Sequence, residues 1–406
     1  MNPANKGRRS FWAAAQFFFE KNIFTTLTRA AIKTASKTIT AAATKTACKT
    51  ITVAAACALF FASCGMRTLP PQTEYTFGTV CSINLYQSGT ADLYVKLFAR
   101  LRELNDIFNN YSDSSEITRV NQNAAAEPVA VSQDFYIVLK TALDFARLSD
   151  GAFDPTVGPL VRLWGFGKEP RVPSQEEIEA AKKFVGWQNV ILDDGPKGLT
   201  DQDAGGNQKS DTDQKVAAVQ TVRFAKAGIR LDLGAIAKGY AADCLVDILH
   251  EQDVKRASIS LGGNVYVYGK KPGGSLWNVA IRDPNRPGQN SFLLKTQNAT
   301  VVTSGAYERF FEQDGKIYGH IFDPATGFPA QSGLASVTIV SQTSMIADAL
   351  STSLFVLGLQ KIPAIRQSPL AGAFECVCVD ERGKTWASKG LKGRLTPLAG
   401  QAVEWF

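Results

Sequence analysis

Residues 319–352 read GHIFDPATGFPAQSGLASVTIVSQTSMIADALST, and their pattern sets the expectation for the rest of the chain. Ala335–Val340 has the composition of a strand and leads directly into an apolar segment of helical period. There Ile346, Ala349, Leu350, Leu354 and Leu357 form the stripe, Thr343 or Ser344 supplies an N-cap, and Gly358 suits the C-terminal cap. Asp348 and Thr352 lie four apart on this helix, so their oxygens share one face. Such a pair either holds a hard cation such as Mg²⁺ or merely faces water and its own backbone. His320, one of only two histidines, opens the stretch. It serves either as a base that titrates near neutrality or as a loop fixture.

Upstream, Tyr75–Tyr86 alternates as a first strand, and Leu93, Leu97, Leu101, Leu104 and Phe108 mark an amphipathic helix from Ala91. The polar stretch SDSSEITRVNQ reads as a loop, Ser132 caps a second helix to about Leu148, and Ser174-Gln-Glu-Glu177 is a capping box closed by Gly186. Residues 193–221 turn to Gly, Asp, Gln and Lys, the composition of a disordered surface insertion. Val222–Phe224 and Ile229–Leu233 read as paired strands, Ala237–Leu249 as a helix. Further strands are expected at Ala257–Leu261, Val265–Tyr268, Trp277–Ile281, Phe292–Thr296 and Ala299–Thr303. Strands mixed irregularly with helices argue an α+β fold, a single large domain with antiparallel sheet over 75–406, rather than a doubly wound one.

The chain has 406 residues and a net charge of +7. Residues 1–63 hold nine of the 44 Lys and Arg but one of the 37 acids, Glu20, so the remainder carries 35 bases against 36 acids. The basic excess belongs to the leader, and nothing argues for nucleic acid as a partner. KTACKT at 45–50, the 13-residue apolar run Ile51–Ser63 and then Cys64 have the order of a signal peptide. A membrane-spanning helix needs about 20 residues, more than this run supplies. Phe61-Ala62-Ser63-Cys64 matches a lipobox except for Phe in place of Leu, so we expect a lipid anchor on Cys64 and a tether over 64–74. With that anchor the protein would sit at the bacterial inner membrane, outside the cytoplasm; the alternative is a cleaved signal and a soluble secreted protein. Cys81, Cys244, Cys376 and Cys378 show no metal spacing and are read as small buried side chains.

Three more segments concentrate glycine, acid and base. Gly151–Gly167, GAFDPTVGPLVRLWGFG, suits the approach of a flat ring to backbone. Asp232-Leu-Gly-Ala-Ile-Ala-Lys-Gly239 brings free N–H groups and Lys238 to a helix start, either a phosphate cradle or a tight packing turn. Arg309, in TSGAYERFF, suits a phosphate or a structural carboxylate.

Together these motifs resemble the ApbE family of FAD:protein FMN transferases. The resemblance rests on FGT at 77–79, SEITRVN at 115–121, the 151–167 segment, LDLGAIAKGYAAD at 231–243, SLGGNVYVYG at 260–269, TSGAYERFF at 303–311, HIFDPATG at 320–327 and ADALST at 347–352. It implies a T-fold-like α+β domain behind a lipoprotein signal peptide. It also implies FAD as substrate, contacted at Tyr111, Ala152, Phe153, Asp154, Asp232, Lys238, Ile321 and, by charge, Arg309. Mg²⁺ would be held by the Ala235 carbonyl, Asp348 and Thr352. Catalytic parts fall to His320, Asp348 and Lys238, with His320 as the base. Phe77 stands where the family commonly has Met. The implied partner is an acceptor protein offering a Thr or Ser hydroxyl, a membrane electron-transport subunit. The competing readings are an FAD pyrophosphatase, a non-catalytic FAD-binding lipoprotein, and a solute-binding lipoprotein, whose two lobes the strand pattern does not supply.

Overall fold

The structure, a computed structural model, describes residues 69–87, 89–166, 168–195, 219–398 and 400–406. The signal peptide, Cys64 and most of the 193–221 insertion lie outside these residues. The chain from 68 to 406 forms one compact unit.

Its frame is a nine-stranded sheet in the order Gln72–Thr76, Thr79–Gln87, Arg256–Leu261, Asn264–Tyr268, Ala299–Gly305, Leu334–Ser341, Glu375–Asp380, Thr385–Ala387, Val403–Trp405. Neighbours pair antiparallel except the last two, which are parallel, so the sheet is mixed. One face is covered by the helices Ala91–Phe108, Gln133–Leu148, Ala237–Glu251 and Ser344–Leu357. The other meets a second sheet of three strands, Leu395–Pro397, Asn290–Thr296 and Trp277–Arg282. Central strands are therefore buried on both sides: Val302 and Ile339 face the helices, Val301 and Val340 the small sheet. Such strands read as continuous apolar runs instead of alternating ones.

Several expectations are met closely. Helices occupy Ala91–Phe108 and Gln133–Leu148, Ser132 Oγ accepts from Phe135 N–H at 3.2 Å, and the Ser174–Glu177 capping box is formed. That third helix ends at Lys182, before Gly186.

Four expectations need correction. Residues 75–86 are two strands, because Phe77 and Gly78 take φ of +54° and +66° and reverse the chain in a two-residue turn. Pairing begins at Gln72, so the expected tether is shorter than 64–74. Glu116–Asn123 is a helix rather than a loop; Ser115 caps it, and only Ile117, Thr118 and Val120 are buried, too few to give a visible period. Ile229–Leu233 is no strand: the Asn121 amide donates to Leu231 O (3.1 Å) and accepts from Leu231 N–H (2.6 Å), taking the groups a sheet neighbour would use. The partners of Thr221–Phe224 are instead Val190–Asp193 and Val129–Ala130. Since Asp193 faces Thr221, the chain between them leaves and returns at one point of a hairpin.

The helices Ala237–Glu251 and Ser344–Leu357 touch at Gly239. A Cβ there would sit 2.4 Å from Ser344 O and 2.7 Å from Met345 Cα, both backbone atoms unable to swing aside. We predict that Gly239→Ala forces these helices apart and lowers stability by about 1–3 kcal/mol; a urea midpoint equal to wild type would contradict this packing.

Candidate active site

The same two helices exchange caps. Thr343 makes no side-chain cap at the start of Ser344–Leu357. Asp243, one turn inside the other helix, does so instead: its Oδ1 accepts from Ser344 N–H (2.7 Å) and its Oδ2 from Met345 N–H (2.8 Å). In return Asp348 Oδ2 accepts from Gly239 N–H at 2.9 Å. Gly239 N–H is among the first of its helix, which have no intrahelical acceptor, so it is free for Asp348, and the Ala235 carbonyl in the turn before does not receive it. Thr352 lies one turn beyond Asp348 on the same helix, and its Oγ1 is 3.2 Å from Ser304 Oγ. Lys238 completes the corner, 3.0 Å from Gly234 O and 4.0 Å from Asp348 Oδ2. Burial pushes the Asp348 carboxyl above the usual carboxylate range, opposed by Lys238 and the Gly239 N–H. A buried carboxylate with one oxygen engaged, a hydroxyl and a carbonyl are hard oxygen donors of the kind Mg²⁺ takes.

A second group of residues converges from the loops. His320 Nδ1 is 3.1 Å from the Arg309 carbonyl, which can only accept, so Nδ1 carries the proton and Nε2 keeps a lone pair. Burial, then the positive charge of Arg309 and Lys238, lowers the pKa of this imidazole to about 4. Arg309 reaches Gly78 O at 3.3 Å, tying the site to the first hairpin turn. Phe166 joins the two halves, its carbonyl accepting from the Tyr111 hydroxyl (3.3 Å) and its ring lying 6.4 Å from that of His320. Tyr111 stays 61% exposed, an aromatic face open to a flat ligand. Trp164 Nε1 donates to Gly327 O (3.0 Å) and so clamps the loop after His320 onto the 151–166 segment.

Asp232 sits in the turn itself, accepting from Gly234 N–H at 2.9 Å, while its own N–H goes to Pro155 O at 2.7 Å. Burial raises its pKa, offset by Arg230, Lys238 and Arg309. Ile321 is half-buried beside His320, and its carbonyl takes Ala330 N–H. Phe153 and Asp154 turn inward. Phe153 packs on Phe145, and Asp154 accepts from Thr156 N–H and Oγ1 and from Trp187 N–H. Their side chains shape the loop, and Ala152 beside them is half-buried. Phe77 is half-buried against the main core.

Sequence reasoning missed Asp243, Asn121 and Glu308. Water reaches Glu308, yet the protein around it and the Asp348 charge raise its pKa to about 7, against Lys238, Arg282 and Arg309. An acid beside an arginine in a glycine turn was the available signal. Two clefts elsewhere, of about 540 Å³ beside Arg162 and Phe184 and about 280 Å³ beside Asp283 and Arg382, include none of these groups. Chemistry, not cavity size, marks the site.

Cations, oxygen donors, an exposed aromatic and a neutral imidazole in these converging loops are groups suited to a phosphorylated aromatic ligand. The model of the ApbE family matches residues 77–377, and the chain belongs to that family. It is 36% identical to an FAD:protein FMN transferase of Treponema pallidum over 84% of this chain and 93% of that one. With the enzyme of that name from Vibrio cholerae it shares 32% identity over 79% and 91% of the two chains. Its structure resembles the ApbE protein of Thermotoga maritima (TM-score 0.68, 32% identity, 80% and 98% of the chains) and the flavin transferase ApbE of V. cholerae (TM-score 0.66, 30% identity, 80% and 98%).

The His320 ring should titrate with a midpoint of about 4 by NMR. Because the unfolded ring takes its proton near the ordinary 6.5, the unfolded state binds more protons between the two values. Stability from the neutral ring is therefore present above the unfolded value and lost as pH falls toward the folded one. His320→Gln should flatten that part of the urea-midpoint profile; an unchanged slope would count against the assignment.

Proposed function

We propose that this protein transfers FMN from FAD to a Thr or Ser hydroxyl of an acceptor protein and releases AMP. The observation that supports the reading is the contact of the 234–239 turn with Asp348 beside Lys238, in a site whose other cation, Arg309, carries a neutral His320 on its carbonyl. His320 Nε2 accepts the proton of the acceptor's hydroxyl. The oxygen then bonds to the FMN-side phosphorus, the phosphoanhydride bond breaks, and the electron pair departs on AMP. Lys238 and Arg309 hold the diphosphate by charge, and Tyr111 offers a face for the flavin. The Ala235 carbonyl, Asp348 and Thr352 would hold Mg²⁺, which when bound neutralises phosphate charge and favours the leaving group. An anchor on Cys64 would keep the enzyme at the membrane, outside the cytoplasm, within reach of membrane electron-transport subunits as acceptors.

Incubation with FAD, Mg²⁺ and an acceptor, followed by intact mass spectrometry, should show the acceptor gaining one phosphoester-linked FMN with AMP in solution. Free FMN with an unmodified acceptor would mean that water is the nucleophile, and unchanged FAD would mean binding without catalysis. His320→Ala should slow transfer by roughly 10²–10⁴-fold while FAD still binds. Asp348→Ala should raise the Mg²⁺ requirement; transfer at wild-type rate without added Mg²⁺ would refute the metal assignment.

A further inference from the structure

Among the described residues, hydroxyl groups meet behind Thr352. Ser304, on the strand Ala299–Gly305, is 8% exposed and Ser351 is fully buried. Ser304 Oγ lies 2.8 Å from Ser351 Oγ and 3.2 Å from Thr352 Oγ1, and Ser351 Oγ lies 2.9 Å from the Asp348 carbonyl oxygen. We infer that Ser304 and Ser351 are positioning residues, a proton-ordered relay that turns the lone pairs of Thr352 Oγ1 toward a divalent cation.

The order follows from donor counting, since each hydroxyl has one proton to give. A carbonyl only accepts, so the Ser351 proton goes to Asp348 O. With that proton committed, Ser351 can only accept from Ser304. Ser304 has then spent its own proton, and Thr352 must be the donor between those two. Oγ1 of Thr352 is left with lone pairs alone for whatever approaches it, which suits a cation and not an acceptor. Ser353, one residue on, gives its proton to Ala349 O four residues back (2.7 Å), the ordinary habit of a hydroxyl inside a helix. For Thr352 the matching carbonyl is that of Asp348, where Ser351 already sits. Ser351 Oγ touches the main-chain carbonyl of Asp348 and not its carboxylate, and its link to Thr352 Oγ1 runs through Ser304, so the Ser304 variants, which leave the Asp348 carbonyl contact in place, isolate the relay.

The inference rests on the metal reading above, and direct binding of Mn²⁺ to the full chain without FAD, followed by electron paramagnetic resonance, tests both. Ser304→Ala and Ser351→Ala should each weaken Mn²⁺ binding by roughly 10–100-fold, as loss of such outer partners does elsewhere. The double variant should be no weaker than the worse single one, because both cut the same chain. Ser304→Thr keeps the hydroxyl and should restore binding, which also covers an alanine variant that folds poorly. If both alanine variants bind Mn²⁺ at wild-type affinity while Thr352→Val has lost it, the three hydroxyls only satisfy one another and the relay is wrong. If Thr352→Val and Asp348→Asn also bind as wild type, the metal reading falls and the relay with it.

Discussion

Two carboxylates exchanged between two helices hold this molecule's working corner together. Each helix start leaves unsatisfied N–H groups, and here Asp243 and Asp348 each reach across to the other's. Glycine at 239 is what lets the backbones come close enough, since the nearest atoms opposite it are main-chain. The exchange also has a chemical product. By accepting the Gly239 N–H, Asp348 is fixed at the start of that helix and 4.0 Å from Lys238 Nζ, so one contact both packs the helices and holds a carboxylate at the glycine turn. A cap of this sort contributes about 0.5–2 kcal/mol when supplied locally; supplied across a helix pair, it fixes their relative position as well.

The sheet is the other half of the positioning. Because central strands are covered on both faces, Ala299–Gly305 and Leu334–Ser341 are held rigidly, and the site takes residues from the ends of both. Ser304 comes from the first, and the second runs straight into the helix bearing Asp348. The small hairpin Phe310–Gln313 with Lys316–Gly319 then sets His320 on the backbone of Arg309, which supplies the carbonyl for both its N–H and its ring.

What could be read in the sequence was whatever depends on local period and chemistry. The amphipathic helix at Ala91 and the Ser132 and Ser174 caps were legible because a side chain and a nearby N–H suffice to define them. The turn at Gly234–Gly239 and the Asp348–Thr352 spacing were legible for the same reason. Asn121, Asp243 and the Phe77–Gly78 reversal were not. An asparagine that imitates a sheet neighbour 110 residues away has no local signature, and neither has an aspartate that caps a helix 101 residues on. Phe77 hides its turn because an aromatic with positive φ runs against the residue's own preference.

The electrostatics of the corner tie base and substrate to one cause. Burial, and after it the charge of Arg309 and Lys238, brings His320 down to about 4. Between visits of substrate the ring is neutral but a weak acceptor. On the proposed function a bound diphosphate would oppose the field of Lys238 and Arg309, while the burial of the ring, the larger cause, would remain. The imidazole is therefore held unprotonated near neutral pH, with its proton on Nδ1. Glu308, facing the same cations, answers them in the opposite sense: they favour its charged form as they disfavour that of His320. A site built from isolated catalytic side chains would need separate devices for binding charge and for tuning the base. Here the same two cations both lower the pKa of the histidine and favour the charged carboxylate of Glu308.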